Sequence, residues 1–242
     1  MLIRERGPFL RGVLMLAVFF VLLAALFMRV FHDENGKPLT GLEYADNVFN
    51  RLSKGSSYFI PEVRKSVETV AGSMVELSVT LKKEDLAPMA AAALNKAGVR
   101  EVSVEGATLK FSGDLGQILS SATDDGDALY HNNGDAVSRK YGGEQPLKAA
   151  AAWWHLLSPA LKELQKQRLL REAKVVDQVI RRALEPGNNF YSIQPVRVSD
   201  HVLLLSGLLL FYLFYTLWYG FAIFELFEGL GLAMSKGRDK RE

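Results

Sequence analysis

Two long runs without a formal charge constrain this chain more than anything else in it. Gly12 to Met28 is 17 residues of glycine, alanine, valine, leucine, methionine and phenylalanine, and Val202 to Phe224 is a longer uncharged run of 23. At ~1.5 Å of rise per residue the longer run reaches ~34 Å as a helix, enough to cross a hydrocarbon core of ~30 Å with some tilt. The shorter one lies near the lower limit for a span. A soluble helix of either length needs a polar face, and neither run has one. Both are expected to be transmembrane helices.

The flanking charges then set an orientation. Arg4, Arg6 and Arg11 precede the first run, and Lys236, Arg238, Lys240 and Arg241 follow the second, while Arg29, Lys37 and Arg197 are all that the facing flanks offer. By the positive-inside rule both termini are expected in the cytoplasm. The layout is a cytoplasmic N-terminus (1–11), a first span (12–28), an extracytoplasmic domain (29–200), a second span (202–224) and a cytoplasmic tail (225–242), in a bacterial inner (plasma) membrane. The basic start and apolar middle of the first run also suit a signal peptide. The apolar residues Leu26-Phe27-Met28, which follow the small Ala24-Ala25 without a polar cleavage region, favour a retained anchor.

Composition excludes more than it selects. A net charge of +2 is too small to suggest nucleic acid, and no cysteine is present to form a disulfide, a thiol nucleophile or a zinc–thiolate site. Asn-x-Ser/Thr is absent.

Between the spans the pattern predicts an α+β fold, mainly helical, with a small β-α-β-β-α unit inserted at 73–122. Thr40 can cap a helix whose Leu42, Ala45, Val48, Phe49 and Leu52 share a face, and Pro61 suits the first turn of a second helix. Met74 to Leu81 alternates with period two, as a half-buried strand does. A short alanine-rich helix over 86–97 follows. Val102 and Val104 then face Leu109 and Phe111 across Glu105-Gly106, a hairpin signal. Asp114 can cap the next helix, which carries Leu115, Ile118, Leu119 and Ala122. Thr123 to Gly143 is rich in glycine, asparagine and aspartate and reads as a mobile loop, with room for one short helix near Ala136 to Tyr141. A helical region over 146–186 comes next. Ser158-Pro159 opens its long helix, Leu169, Ala173, Val176, Ile180 and Ala183 form a core seam, and Pro186-Gly187-Asn188-Asn189 stops it.

Signatures of common catalytic sites are missing, among them Gly-x-Ser-x-Gly, His-Glu-x-x-His and the phosphate-cradling glycine loop. The pattern favours a protein that is not an enzyme and needs no cofactor. His32-Asp33 and Asp200-His201 stand at the outer ends of the two spans, where imidazoles and carboxylates together suit a divalent metal, proton transfer or a bis-histidine haem contact. The bland alternative is boundary polarity. Asp124-Asp125-Gly126-Asp127 is oxygen-rich but lacks the closing glutamate of a calcium loop, so a solvated acidic loop is the better reading. Trp153-Trp154-His155 contains more aromatic surface than one core can take, since neighbours on a helix point ~100° apart. One tryptophan is expected in the core, with the other against a membrane surface, a partner or the α+β unit.

In the second run Tyr212, Tyr215 and Thr216 fall near mid-membrane, where a hydroxyl wants a partner. With Trp218, and with Glu225 and Glu228 where the span leaves the hydrocarbon, they form the expected partner-binding face. A neighbouring protein or a second copy is one source of that partner, and the helix's own backbone is another.

The layout is similar to that of bacterial receptors that place a sensing domain between two spans. Such receptors continue into a cytoplasmic output domain, whereas the sequence here runs only 18 residues past the second span. Three functions follow, in order: a non-enzymatic accessory or scaffolding subunit of a cell-envelope membrane complex; an extracytoplasmic ligand-sensing module that signals through a separate partner; and a metal- or haem-linked redox subunit.

Overall fold

The computed structural model describes residues 3–33 and 36–232. The tail cations Lys236, Arg238, Lys240 and Arg241 lie outside the described residues. The chain is mostly helical with two small sheets, and it divides into two units. One comprises residues 1–49 and 197–242, and the other 50–196.

The first unit is built on α1 (Arg6–Leu26) and α10 (Val202–Gly229), each long and apolar enough to cross a membrane. Almost none of their apolar surface is buried in the protein. The helices pack against each other in opposite directions: Phe9 meets Gly229, Gly12 meets Leu226, and Phe19 meets Tyr215. Both helices are longer at their paired ends than the uncharged runs, α1 starting at Arg6 and α10 continuing to Gly229. Two-residue strands β1 (Phe31–His32) and β2 (Pro38–Leu39) form a hairpin, and α2 (Gly41–Lys54) follows. The expected cap on α2 is a full capping box: the Glu43 N–H donates to Thr40 Oγ1 at 3.1 Å, and the Thr40 N–H donates to Glu43 Oε2 at 2.8 Å. Of the expected apolar face, Val48 and Leu52 are buried while Leu42 and Phe49 stay exposed.

The second unit begins with the end of α2 and with α3 (Ile60–Glu68), which has Pro61 in its first turn. Strands β3 (Met74–Thr80), β4 (Glu101–Glu105) and β5 (Thr108–Asp114) form an antiparallel sheet in the order β3-β5-β4. Helix α4 (Ala87–Lys96) stands between β3 and β4 in the chain. The β4–β5 hairpin turns at Gly106, whose φ of 58° is what the first position of a type II′ turn demands. Val75, Leu77, Val79, Leu109 and Phe111 point inward, and the alternate residues of β3 stay exposed. Asp114 caps α5 (Leu115–Tyr130) through the Gly116 N–H at 2.8 Å.

Three expectations fail here. The polar stretch 123–143 is not a mobile loop: α5 runs on to Tyr130, Asn132 takes a left-handed φ of 60°, and α6 (Gly134–Lys140) then stands close to the short helix expected near 136–141. Ser158-Pro159 opens no helix, because α7 (Pro146–Lys166) passes straight through it. Pro186 itself stops none either, and the helix ends only at Asn189, the far edge of the expected stop. Helix α8 (Leu170–Val179) widens into a π-bulge over Ile180–Leu184 and continues as α9 (Glu185–Asn189). A proline ring clashes with the carbonyl four residues back in a regular helix. The wide turn just before Pro186 relieves that crowding.

Candidate functional site

The helix pair of the first unit is joined through small residues. A Cβ on Gly12 would lie 2.7 Å from the Leu226 amide nitrogen, and one on Gly229 would lie 2.6 Å from Phe9 Cα. Glycine is what lets the backbones approach this closely. At the same end the Arg4 and Glu5 N–H groups donate to the Gly229 carbonyl at 2.9 and 3.0 Å, and Arg11 pairs with Glu225 at 3.0 Å.

Of the residues expected to bind a partner, three are engaged within the pair, two of them by polar contacts. The Trp218 Nε1–H donates to the Met15 carbonyl at 2.9 Å, and Glu225 holds Arg11. Thr216 donates to the Tyr212 carbonyl at 2.7 Å, so its hydroxyl is served by its own helix. Tyr215 stacks on Phe19 with ring centroids 4.3 Å apart, and its buried hydroxyl finds no partner among the described residues. Tyr212 and Glu228 remain on the outside; Tyr212 is 68% exposed.

The boundary residues are committed locally. His32 belongs to β1. Asp33 closes the hairpin after it, accepting from the Lys37 N–H at 2.8 Å. Asp200 accepts from the Ser199 hydroxyl at 3.0 Å, and His201 Nδ1 lies 3.3 Å from the Arg197 carbonyl oxygen. Among the described residues no three His, Asp or Glu side chains converge as metal donors would.

In the second unit the acidic run is structural. Asp125 is buried and accepts three charge-assisted or polar bonds: from Lys140 Nζ at 2.6 Å, from the Tyr141 hydroxyl at 2.5 Å and from Trp153 Nε1 at 2.7 Å. Burial and the neighbouring carboxylate push the Tyr141 phenol far above its ordinary value. Asp124 and Asp127 both hold Arg64, at 2.5 and 3.0 Å, and Asp127 also takes the Tyr58 hydroxyl. The side chains of a calcium loop are thus spent on other partners.

Lys54 is the second buried charge. Its ammonium donates to Asn132 Oδ1 (3.0 Å), to the Phe190 carbonyl (3.0 Å) and to the Ile193 carbonyl (2.7 Å). Burial pushes it below the usual lysine value. Tyr130 donates to the Lys54 carbonyl, and the Val196 N–H donates to the Arg51 carbonyl at 3.3 Å. The incoming and outgoing segments of this unit are therefore fastened together.

Among the described residues, a cleft of about 310 Å³ lies beside Arg64, Glu68, Asp114 and Gln117, and two further concavities differ in their chemistry. The open face of the sheet forms a shallow groove of about 760 Å³ lined by Glu76, Ser78, Ser103, Lys110, Ser112 and Gln167. Its Lys110 is paired with Glu105. A cleft of about 370 Å³ between α7 and α9 is chemically richer, with Ala150, Ala151, Trp154, His155, Leu184, Glu185, Asn188 and Asn189 around it. Trp153 is wholly buried while Trp154 is half-exposed, donating its Nε1–H to Glu185 Oε1 at 3.3 Å. The sequence singled out Trp154 and His155, but not the acid and amides that face them. Their signal, a Glu-x-x-Asn-Asn spacing, was hidden inside a stretch that looked like a helix stop.

No family model, curated protein or solved structure matches this chain.

Proposed function

We propose that the chain is a non-enzymatic accessory or scaffolding subunit of a cell-envelope membrane complex, anchored by α1 and α10. In this reading both helices cross the inner membrane with both termini cytoplasmic, and residues 50–196 form an extracytoplasmic domain. The arginines at 4, 6 and 11 support that orientation. The antiparallel pairing supports it too, since it gathers both outer ends of the pair at one side.

One observation carries the partner-binding part. Tyr212 sits mid-way along a helix of lipid-like side chains, exposed, with no hydrogen-bond partner for its hydroxyl among the described residues. In hydrocarbon an unsatisfied hydroxyl is costly, and a neighbouring span is the natural acceptor. Leu209, three residues earlier and so on the same face of the helix, is also exposed.

The test is native purification in mild detergent with mass spectrometry of the companions, comparing wild type with Tyr212→Leu and with the triple change Tyr212→Leu, Tyr215→Leu, Trp218→Leu. Loss of stoichiometric partners in Tyr212→Leu is expected. That variant leaves the Trp218–Met15 bond intact, so the loss would not come from an opened helix pair. An unchanged complex in both variants would overturn the proposal.

A further inference from the structure

We infer that the cleft between α7 and α9 is a binding site for a neutral, hydroxyl- and amide-bearing saccharide. The inference is independent of the proposed membrane role.

Three features argue that the cleft is built rather than incidental. Both of its walls carry a helix irregularity. On one side Pro159, inside α7, supplies no N–H to the carbonyl of His155. On the other, the π-bulge Ile180–Leu184 immediately precedes Glu185; such bulges recur at functional positions. The back of α9 is also pressed home: a Cβ on Gly187 would lie 2.5 Å from the Gly126 carbonyl oxygen. That contact fixes the short helix so that Glu185, Asn188 and Asn189, spaced i, i+3 and i+4, form one face. Finally, Trp153 is wholly buried, while Trp154 packs against the same core and leaves part of its ring exposed; that part, edge-on to His155 with ring centroids 5.1 Å apart, is an apolar platform.

Charge selects the ligand. His155 is held below the usual histidine value, first by burial and then by Lys83 and Lys82, so at neutral pH it presents one donor and one acceptor rather than a cation. Those two lysines disfavour a cationic guest, and the Glu185 carboxylate disfavours an anionic one. An indole beside a carboxylate, two carboxamides and a neutral imidazole matches a ring with an apolar face and a rim of hydroxyl or amide groups. The volume lies at the small end of the ~300–1,000 Å³ typical of ligand sites.

The experiment uses the full chain in lipid nanodiscs, which avoids sugar-based detergents. Saturation-transfer NMR and calorimetry would be run with N,N′-diacetylchitobiose, cellobiose and choline. Binding of one or both disaccharides is expected, weakened about tenfold or more by Trp154→Ala and by Glu185→Gln, a change of ~1.4 kcal/mol or more. Trp154→Phe, which keeps a ring, should retain most of the affinity, and Lys110→Ala in the sheet groove should change nothing. Failure of both disaccharides to bind wild type would overturn the inference. So would binding that survives Trp154→Ala and Glu185→Gln, or a preference for choline.

Discussion

Helices α7 and α10 are both long, both rich in leucine and aromatic residues, and they treat those residues in opposite ways. Helix α7 has polar faces, and it buries Trp153, Leu156, Leu157, Ala160 and Leu164 along one stripe. Helix α10 has no polar stripe, and it buries only Ala222 and Gly229, while Leu203, Tyr212 and Phe214 are each more than two-thirds exposed. The difference lies in what surrounds each helix. In α7 the buried stripe mixes alanines with Trp153 and leucines and joins a continuous apolar core. In α10 the contact with α1 closes at Gly229 and, across from it, at Gly12, as in helix pairs whose leucines gain nothing by leaving lipid. The second unit combines a buried core with close backbone approach, whereas the helix pair has the close approach with almost no burial.

The largest effect should come from the polar group that the buried stripe tolerates. Asp125→Ala would leave Lys140, the Tyr141 hydroxyl and the Trp153 indole N–H without their shared acceptor. Removing one partner of a buried ion pair costs about 3–5 kcal/mol. Urea unfolding of the full chain, read on the transition of the second unit, should register a loss of that order. A loss below ~1 kcal/mol would mean that water replaces the carboxylate, and that the core of this unit is wetter than the burial of Asp125 indicates.

That carboxylate also explains where the sequence was legible. The period-two strand, the Glu105-Gly106 hairpin, the Asp114 cap and the Thr40 cap could all be read, because each is decided by residues adjacent in the chain. Most of the stretch 123–143 could not, since its polar residues are satisfied by distant partners: Asp124 and Asp127 by Arg64, Asp125 by Trp153, and Asn132 by Lys54. A trace did exist. Leu115, Ile118, Leu119, Ala122, Leu129 and Tyr130 keep helical spacing across the gap, and Asp125 occupies the core position within it. The two prolines misled for a related reason, since the π-bulge that admits Pro186 has no local sequence signature. Of the candidate site, the Trp154-His155 pair was visible, and the opposing Glu185, Asn188 and Asn189 were not.

Smaller effects should come from the glycines, and they sharpen the contrast between the two modes of packing. Gly187→Ala would drive a Cβ against the Gly126 carbonyl, with backbone on both sides and nothing flexible to yield. Overpacking of this kind costs about 1–3 kcal/mol. In the helix pair, Gly12→Ala meets the Leu226 backbone in the same way, while Gly220→Ala, with open space around it, should be silent. Because the chain has no cysteine, an introduced Phe19→Cys and Tyr215→Cys pair would report this directly. Its disulfide yield should fall with Gly12→Ala and hold with Gly220→Ala. Equal yields in both would argue that α1 and α10 are held by their exposed aromatic residues and not by close approach.

The smallest effect is a pH dependence seated in the one part of α7 that behaves like neither extreme. His155 is half-buried beside Trp154, and burial followed by Lys83 and Lys82 lowers its proton affinity in the folded chain. Between the folded value and the ordinary unfolded one of ~6.5, the unfolded chain binds the extra proton, so stability rises with pH through that window. Acidification should therefore erode the stability of the second unit below about pH 6.5, and His155→Gln should flatten that part of the profile. Saccharide affinity should fall only at lower pH, as the folded value itself is passed, because the protonated imidazole then loses its acceptor and adds a charge to the cleft. A profile that is equally steep in His155→Gln would assign the acid sensitivity to the carboxylates around Arg64 instead, leaving His155 a spectator to both stability and binding.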